Sequence, residues 1–207
     1  MNVLIYQPTY FPTIETFSYL VKDEQAVFEL FDHYQKQTYR TRCSIYAANG
    51  KLDLIIPIKH VKNQRQLTRD VRIENDFNWQ RNHFKSLENA YRSSPFFEFY
   101  EDYIAVIYNQ KEQFLIDFLF KTIDLSFQLL DRSISYTKTS DYHLTYTDPK
   151  DLRSLADFKR SSVPSMKPYI QVFDNKQGFI PNLSILDLLF NEGGNAISYL
   201  MTNDMKG

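Results

Sequence analysis

Asn2-Val3-Leu4-Ile5-Tyr6-Gln7-Pro8-Thr9-Tyr10-Phe11-Pro12 is the stretch that decides how the rest of the chain is read. Asn2–Tyr6 is an apolar run of strand length, and it stops at a turn holding Pro8 and Pro12. Each proline fixes its own φ and biases the residue before it towards extended geometry, so the turn is stiff. A short apolar run bounded by such a turn reads as a buried first strand. Residues 13–22 then look helical, and Ala26–Phe31 is a second apolar run of strand length.

Further along, Arg40–Tyr46 and Leu52–Ile58 flank Ala48-Asn49-Gly50. Asn-Gly between strand-like runs predicts an antiparallel hairpin. Alternation along the first arm puts Arg40, Arg42, Ser44 and Tyr46 on one face and Thr41, Cys43 and Ile45 on the other. Residues 59–72 carry Lys59, Lys62, Arg65, Arg69 and Arg72 against Asp70. They read as a mobile basic loop leading into a short strand near Val71–Ile73. Asp76 or Asn78 is placed to cap a helix over 79–92, Ser94-Pro95 starts another, and Glu112–Leu130 is a third with apolar residues at helical spacing. Ser133–Tyr136 and Tyr169–Phe173 are strand candidates. Asp148-Pro149 starts a helix through about residue 158, and Ser184 with Asp187 looks like a capping box. Gly193-Gly194 stops that helix, and Ala196–Met201 begins a last one. Interleaved strands and helices predict an α/β fold: a mostly parallel sheet with flanking helices and an inserted antiparallel hairpin, with α+β as the alternative.

Composition narrows the function classes. The 207 residues carry a formal net charge of −1, which gives no global electrostatic case for nucleic acid or an anionic membrane. Cys43 is the single cysteine, so no internal disulfide forms, which fits a reducing compartment. The first residues lack the charged and long apolar regions of a signal peptide, and no apolar stretch reaches membrane-spanning length. A cytoplasmic protein without a transmembrane segment is expected. Glycine falls at 50, 178, 193, 194 and 207, so neither GxGxxG nor a P-loop occurs. GxSxG, HExxH and CxxC are absent as well, and His33, His60, His83 and His143 do not pair at chelating spacing. The expectation is no metal and no cofactor. Aromatic residues make up 16 % of the chain, which suits a core of large rings or a pocket that stacks on sugars.

Several residues are weighed as site candidates. Gln7 and Tyr10 sit on a stiff loop after the first strand, and in open α/β sheets ligands bind beyond the carboxyl ends of strands; a purely structural proline turn is the other reading. Arg40 and Arg42 could fork a phosphate or carboxylate, against a solvated strand face. The basic loop, Lys59 included, could close over an anion. Trp79, His83, Leu87 and Tyr91 recur every four residues, so one helix stripe aligns them. His83 suits general-base chemistry there, against a hydrogen-bonded core histidine. Cys43 reads as a buried small hydrophobe.

Taken in order, these segments resemble the WbqC-like family. Gln7-Pro8-Thr9-Tyr10-Phe11-Pro12 is similar to its opening QPxYFP. Lys36-Gln37-Thr38-Tyr39-Arg40-Thr41-Arg42-Cys43 is similar to its KQsYRnRc segment, with Thr41 in place of Asn. Trp79 to His83 with Ala90 to Phe97, then Tyr169 to Phe173, then Pro181 to Phe190, resemble three further blocks. The resemblance runs almost end to end and implies a single WbqC-like domain over 1–207. It implies a bacterial setting in surface-polysaccharide biosynthesis such as that of O-antigen, for which glycine transfer has been proposed.

The resulting expectation is an acyl or aminoacyl transferase acting on an activated amino sugar, nucleotide-linked or lipid-linked. His83 takes the amine proton, Arg40, Arg42 and Lys59 hold phosphates, and Gln7 and Tyr10 orient the sugar, with Trp79 and Tyr91 in the same substrate-binding set. The alternative is a non-catalytic glycan- or nucleotide-sugar-binding subunit of a biosynthetic assembly. A third reading, nucleotidyl transfer or isomerisation of an activated sugar, lacks a metal motif. The partner is an activated sugar or glycan precursor, and a homo-oligomer is left open.

Overall fold

The computed structural model describes residues 4–23, 25–61, 65–146, 150–160 and 164–202. Leu4–Tyr6 forms β1, with Ile5 and Tyr6 buried. Thr13 stays extended, and its hydroxyl accepts the Thr16 amide at 3.3 Å, starting α1 at Ile14–Leu20. Such a cap satisfies one of the amides that a helix start leaves without a partner. The chain returns as β2, Ala26–Phe28, parallel to β1.

The hairpin follows as β3, Arg42–Ala47, and β4, Gly50–Ile55, paired antiparallel from Arg42 opposite Ile55 to Ala47 opposite Gly50. Ala48-Asn49 forms the turn, and Gly50 takes φ +104°, a region open to glycine. Arg40 lies before β3, so it does not share a strand face with Arg42 as alternation suggested. β3 is covered, because α2 (Trp79–Tyr91) and a later helix at Ile185–Glu192 pack against it. Cys43, Ser44, Ile45 and Tyr46 are therefore all buried. Asn78 is the cap residue of α2 but makes no side-chain bond to its amides. The Asp76 amide instead donates to Glu74 Oε1 at 3.2 Å.

Near Val71–Ile73 the chain makes single bridges rather than a strand: Ile73 pairs with Ile58 and Arg72 with Phe114. Helices α3 (Phe97–Tyr108) and α4 (Leu115–Leu129) come next. Two short strands then complete the sheet. Tyr136–Lys138 (β5) pairs parallel to β2, and Lys150–Asp151 (β6) pairs parallel to β1. Asp148 and Pro149 lie outside the described residues. The helix expected through residue 158 is replaced by β6 and a 3-10 turn at Arg153–Ala156. The strand expected at Tyr169–Phe173 is likewise absent; that segment runs irregularly into α5, Asp174–Gln177. The last helices are α6, Ile185–Glu192, capped by the Ser184 hydroxyl, and α7, Ala196–Thr202.

The architecture is α/β: a four-stranded parallel sheet in the order β5-β2-β1-β6, flanked by helices, plus the two-stranded antiparallel hairpin. Chain order runs outward from β1 through β2 to β5, and β6 joins on the other side. The winding therefore reverses beside β1. No helix among the described residues is long and apolar enough to cross a membrane.

Asp187 departs from the capping box expected of it. It is fully buried, where it accepts hydrogen bonds from the Tyr91 hydroxyl at 2.7 Å, from the Tyr169 hydroxyl, and from Gln171 Nε2 at 2.8 Å. The Tyr91 hydroxyl in turn accepts the Tyr46 amide at 2.9 Å. One carboxylate thus ties α2, β3, the segment before α5 and α6 together. Burial pushes its pKa up, and the three donors pull it back down. Replacing Asp187 by Leu keeps the branching of the side chain but offers no acceptor to three buried donors. We expect Asp187→Leu to lower unfolding free energy by about 3 kcal/mol, read as a lower urea midpoint; a loss below about 1 kcal/mol would show that the network does not hold these elements.

Candidate functional site

A cleft of about 780 Å³ opens at the carboxyl ends of the parallel strands. Gln7 follows β1, Asp32 lies just beyond β2, and Asp151 and Arg153 stand at the end of β6. This is where the winding of the sheet reverses, the place where open α/β sheets leave a crevice for ligands.

One wall centres on Arg40, which is 3 % exposed. Its Nη2 donates to Asp32 Oδ2 at 2.5 Å, its Nε to Gln7 Oε1 at 3.3 Å and its Nη1 to Thr38 Oγ1 at 3.5 Å. Thr68 donates its hydroxyl to the other Asp32 oxygen at 2.6 Å, and the Thr68 amide bonds the Asp32 carbonyl at 2.9 Å. Burial lowers the guanidinium pKa from its usual value while Asp32 raises it again; an arginine remains charged in such a setting. A buried pair of this kind adds little net stability, because desolvation offsets attraction. Its effect here is to fix the direction of the Gln7 amide and the Arg40 fork.

The opposite wall is built on Arg153. It grips Asp151 at two points, Nε to Oδ1 at 3.0 Å and Nη2 to Oδ2 at 2.6 Å, and reaches Glu29 Oε2 at 3.4 Å and the His143 carbonyl at 2.9 Å. These bonds hold the Asp151 carboxyl below its ordinary pKa. Glu29 is wholly buried and also accepts the Thr139 hydroxyl at 3.0 Å. His33, Tyr142, Arg65 and Asp157 also line the cleft. The cleft therefore offers oriented amide, guanidinium and carboxylate groups of balanced charge, a lining suited to a ligand rich in hydroxyls. Among the described residues, no group of three or more His, Cys, Asp or Glu is placed to hold a metal ion.

Of the eight residues singled out in the sequence, the cleft brings together Gln7 and Arg40. Tyr10, Trp79 and His83 form a separate buried cluster. The Tyr10 hydroxyl bonds His83 Nδ1 at 3.0 Å and also the Tyr108 hydroxyl, and the Trp79 ring meets the imidazole edge-on at 5.1 Å. Tyr91 belongs to the Asp187 network. Arg42 pairs with Asp53 at 3.6 Å and lies over the Phe158 ring at 4.2 Å. Lys59 is half exposed and faces Glu74 at 4.0 Å. Sequence reasoning passed over Asp32, Asp151 and Arg153. Asp32 carries a usable signal, an acid directly after the apolar run of the second strand; the other two were hidden inside an expected helix.

Residues 7–162 match the model of the WbqC-like protein family, and the chain belongs to that family. An uncharacterized protein of Mycobacterium tuberculosis is 27 % identical over 231 aligned residues, covering 96 % of this chain and 97 % of its own. No solved structure matches the chain. The family match begins at Gln7 and spans every cleft residue.

Burial pushes the His83 imidazole pKa down to about 4 from 6.5, so the folded chain holds it neutral. The unfolded chain takes up that proton first on acidification. The contribution is therefore intact above pH 6.5 and is lost as pH falls from 6.5 towards 4, amounting to about 3 kcal/mol. Urea unfolding at pH 7 and pH 4 checks this. His83→Gln, which cannot titrate, should lose that part of the pH dependence while keeping a bond to Tyr10.

Proposed function

We propose that this WbqC-family chain binds an activated amino sugar in the cleft at the carboxyl ends of β1, β2 and β6, and transfers an acyl or aminoacyl group to it in surface-polysaccharide biosynthesis. The observation that carries the reading is the buried Arg40 fork, held between Gln7 and Asp32 where the sheet reverses its winding. Arg40 and Arg153 supply positive charge for an anionic group on the sugar. Gln7, Asp32 and Asp151 supply acceptors for hydroxyls and for an ammonium group.

In the transfer, the sugar nitrogen attacks the acyl carbonyl, the bond to the leaving group breaks, and the nitrogen gives up a proton. A proton acceptor must reach the ligand. His33 lines the cleft and is exposed, so we assign it that role. His83 acts at one remove: through Tyr10 it steadies the loop that carries Gln7. It is a positioning residue in this scheme.

A second reading is a non-catalytic sugar-binding subunit. It is favoured by the pairing of Arg40 with Asp32 and of Arg153 with Asp151 and Glu29, which pre-orients a binding surface.

Thermal-shift titration against nucleoside-diphosphate sugars and sugar phosphates, amino sugars among them, tests both. A ligand at 100 times its dissociation constant stabilises by about 2.7 kcal/mol. Amino-sugar ligands should give such a shift, and Gln7→Ala should weaken it at least tenfold. His33→Gln should bind normally but lose turnover with acyl donors. Binding without turnover of any donor would favour the binding subunit, and no shift with any member would remove both readings.

A further inference from the structure

A second groove of about 570 Å³ lies on the other side of the Arg40 wall. The wall is a single segment whose residues divide between two cavities. Gln35, Thr38 and Arg40 line the cleft, Lys36, Gln37, Thr41 and Arg42 line the groove, and Tyr34 lines both. Gln37 takes φ 58°, a left-handed conformation that a non-glycine residue adopts only where the surroundings hold it. The segment is pinned from several sides: the Tyr39 amide donates to the Ala156 carbonyl, the Tyr10 amide to the Tyr39 carbonyl, and the Ile56 amide to the Thr41 carbonyl, at 2.8–2.9 Å. It is a built partition.

The groove differs from the cleft in chemistry. Its floor is apolar, with Pro57 and the unusually exposed Ile55 (49 %) and Phe77 (64 %). Its rim is basic, with Lys36, Arg42 and His60 against Glu74. Glu74 is already engaged by Lys59 at 4.0 Å and by the Asp76 amide, and Arg42 shares its charge with Asp53 at 3.6 Å, so among the described residues Lys36 is the rim cation without a carboxylate partner. An apolar floor beside one uncompensated lysine and a second, shared guanidinium fits a chain that ends in an anion.

We propose that the groove holds a lipid phosphate. This rests on the sugar-binding reading of the cleft, and it names the carrier: the apolar chain lies on Ile55, Pro57 and Phe77, the phosphate meets Lys36 and Arg42, and the sugar passes Tyr34 into the cleft. The carrier is thereby an alkyl or isoprenoid phosphate rather than a nucleotide.

Calorimetric titration of the full chain with decyl phosphate below its micelle concentration, beside decanol and inorganic phosphate, tests this. Decyl phosphate should bind at least tenfold more tightly than either control. Phe77→Ser should weaken it at least tenfold, and Lys36→Gln should bring decyl phosphate and decanol close to parity. Both side chains are exposed, and unchanged melting temperatures confirm that the variants fold. No binding of decyl phosphate, or binding that neither variant alters, overturns the proposal. So does a wild-type dimer that Phe77→Ser turns monomeric, since a second copy would then cover the groove. If sugar phosphates bind through Gln7 while decyl phosphate does not bind, the carrier is wrong and the cleft reading stands. If decyl phosphate binds in the groove while no sugar ligand binds, the lipid-phosphate site stands and the cleft reading fails.

Discussion

A buried loop must find partners for its own backbone, and this fold is organised around one such loop. Residues 5–18 are buried without a break, yet the stretch from Gln7 to Pro12 has neither a helix nor a ladder to absorb its polar groups. Prolines at 8 and 12 reduce the problem by removing two amide donors. Four of the other polar groups bond to distant elements. The Tyr10 amide goes to Tyr39, the Phe11 amide to the Thr122 hydroxyl at 3.3 Å, and the carbonyls of Phe11 and Pro12 accept from the Ser184 hydroxyl and the Ile185 amide at 3.0 and 2.9 Å. One loop thereby fixes the partition that bears Arg40, the helix α4 and the start of α6. Gln7 is its first residue, so the cleft inherits the rigidity of the whole assembly.

Much of this could be read in the sequence, for physical reasons. The loop was visible because proline leaves a strong local signature, and the hairpin because Asn-Gly does. The long helices were visible because their apolar spacing repeats over several turns. The edge strand β6 was not, since two residues carry no measurable period, and β5 falls at Tyr136–Lys138 rather than at the expected Ser133–Tyr136. Asp187 was misread because a carboxylate three residues after a serine at a helix start normally faces solvent; only the positions of Tyr91 and Tyr169, far away in sequence, turn it inward. His83 marks a different limit. A stripe at four-residue spacing defines one side of a helix, and the lining of an apolar pocket and the lining of a core give the same pattern. Its burial beside Tyr10, Trp79 and Tyr108 is an observation that periodicity alone does not supply. Arg40 and Arg42 were paired by alternation, but the strand begins after Arg40, so the two arginines serve opposite sides of one wall.

The high aromatic content finds most of its explanation in packing. Tyr10, Phe11, Phe17, Phe28, Tyr46, Tyr91, Phe97, Phe118 and Phe190 are essentially inaccessible. Many meet in tilted or edge-on pairs, as Phe17 does with Phe127 at 4.9 Å and Tyr91 with Phe190 at 4.8 Å. The tyrosine hydroxyls are used as internal ties: Tyr46 donates to the carbonyls of Phe173 and Gly178 at 3.0 and 2.9 Å. Large rings with a polar tip let a core be both apolar and cross-linked by hydrogen bonds. The surface left for recognition is consequently defined by a few charged and amide groups on the partition and at the strand ends.

The strand order also constrains how the molecule comes into being. β1 is one of the two inner strands of the sheet and is translated before the other three, but its second neighbour, β6, emerges only after α4 and β5. The hydroxyl that closes the loop behind β1, that of Ser184, lies 173 residues from Phe11. This inner strand must therefore wait, unpaired on one side, until β6 has left the ribosome. Contacts this distant in sequence make folding slow compared with a helical bundle and leave an apolar strand open to chaperones in the interval. A ribosome that stopped just before α6 would release a chain whose first loop, rather than its last surface, had lost its partners.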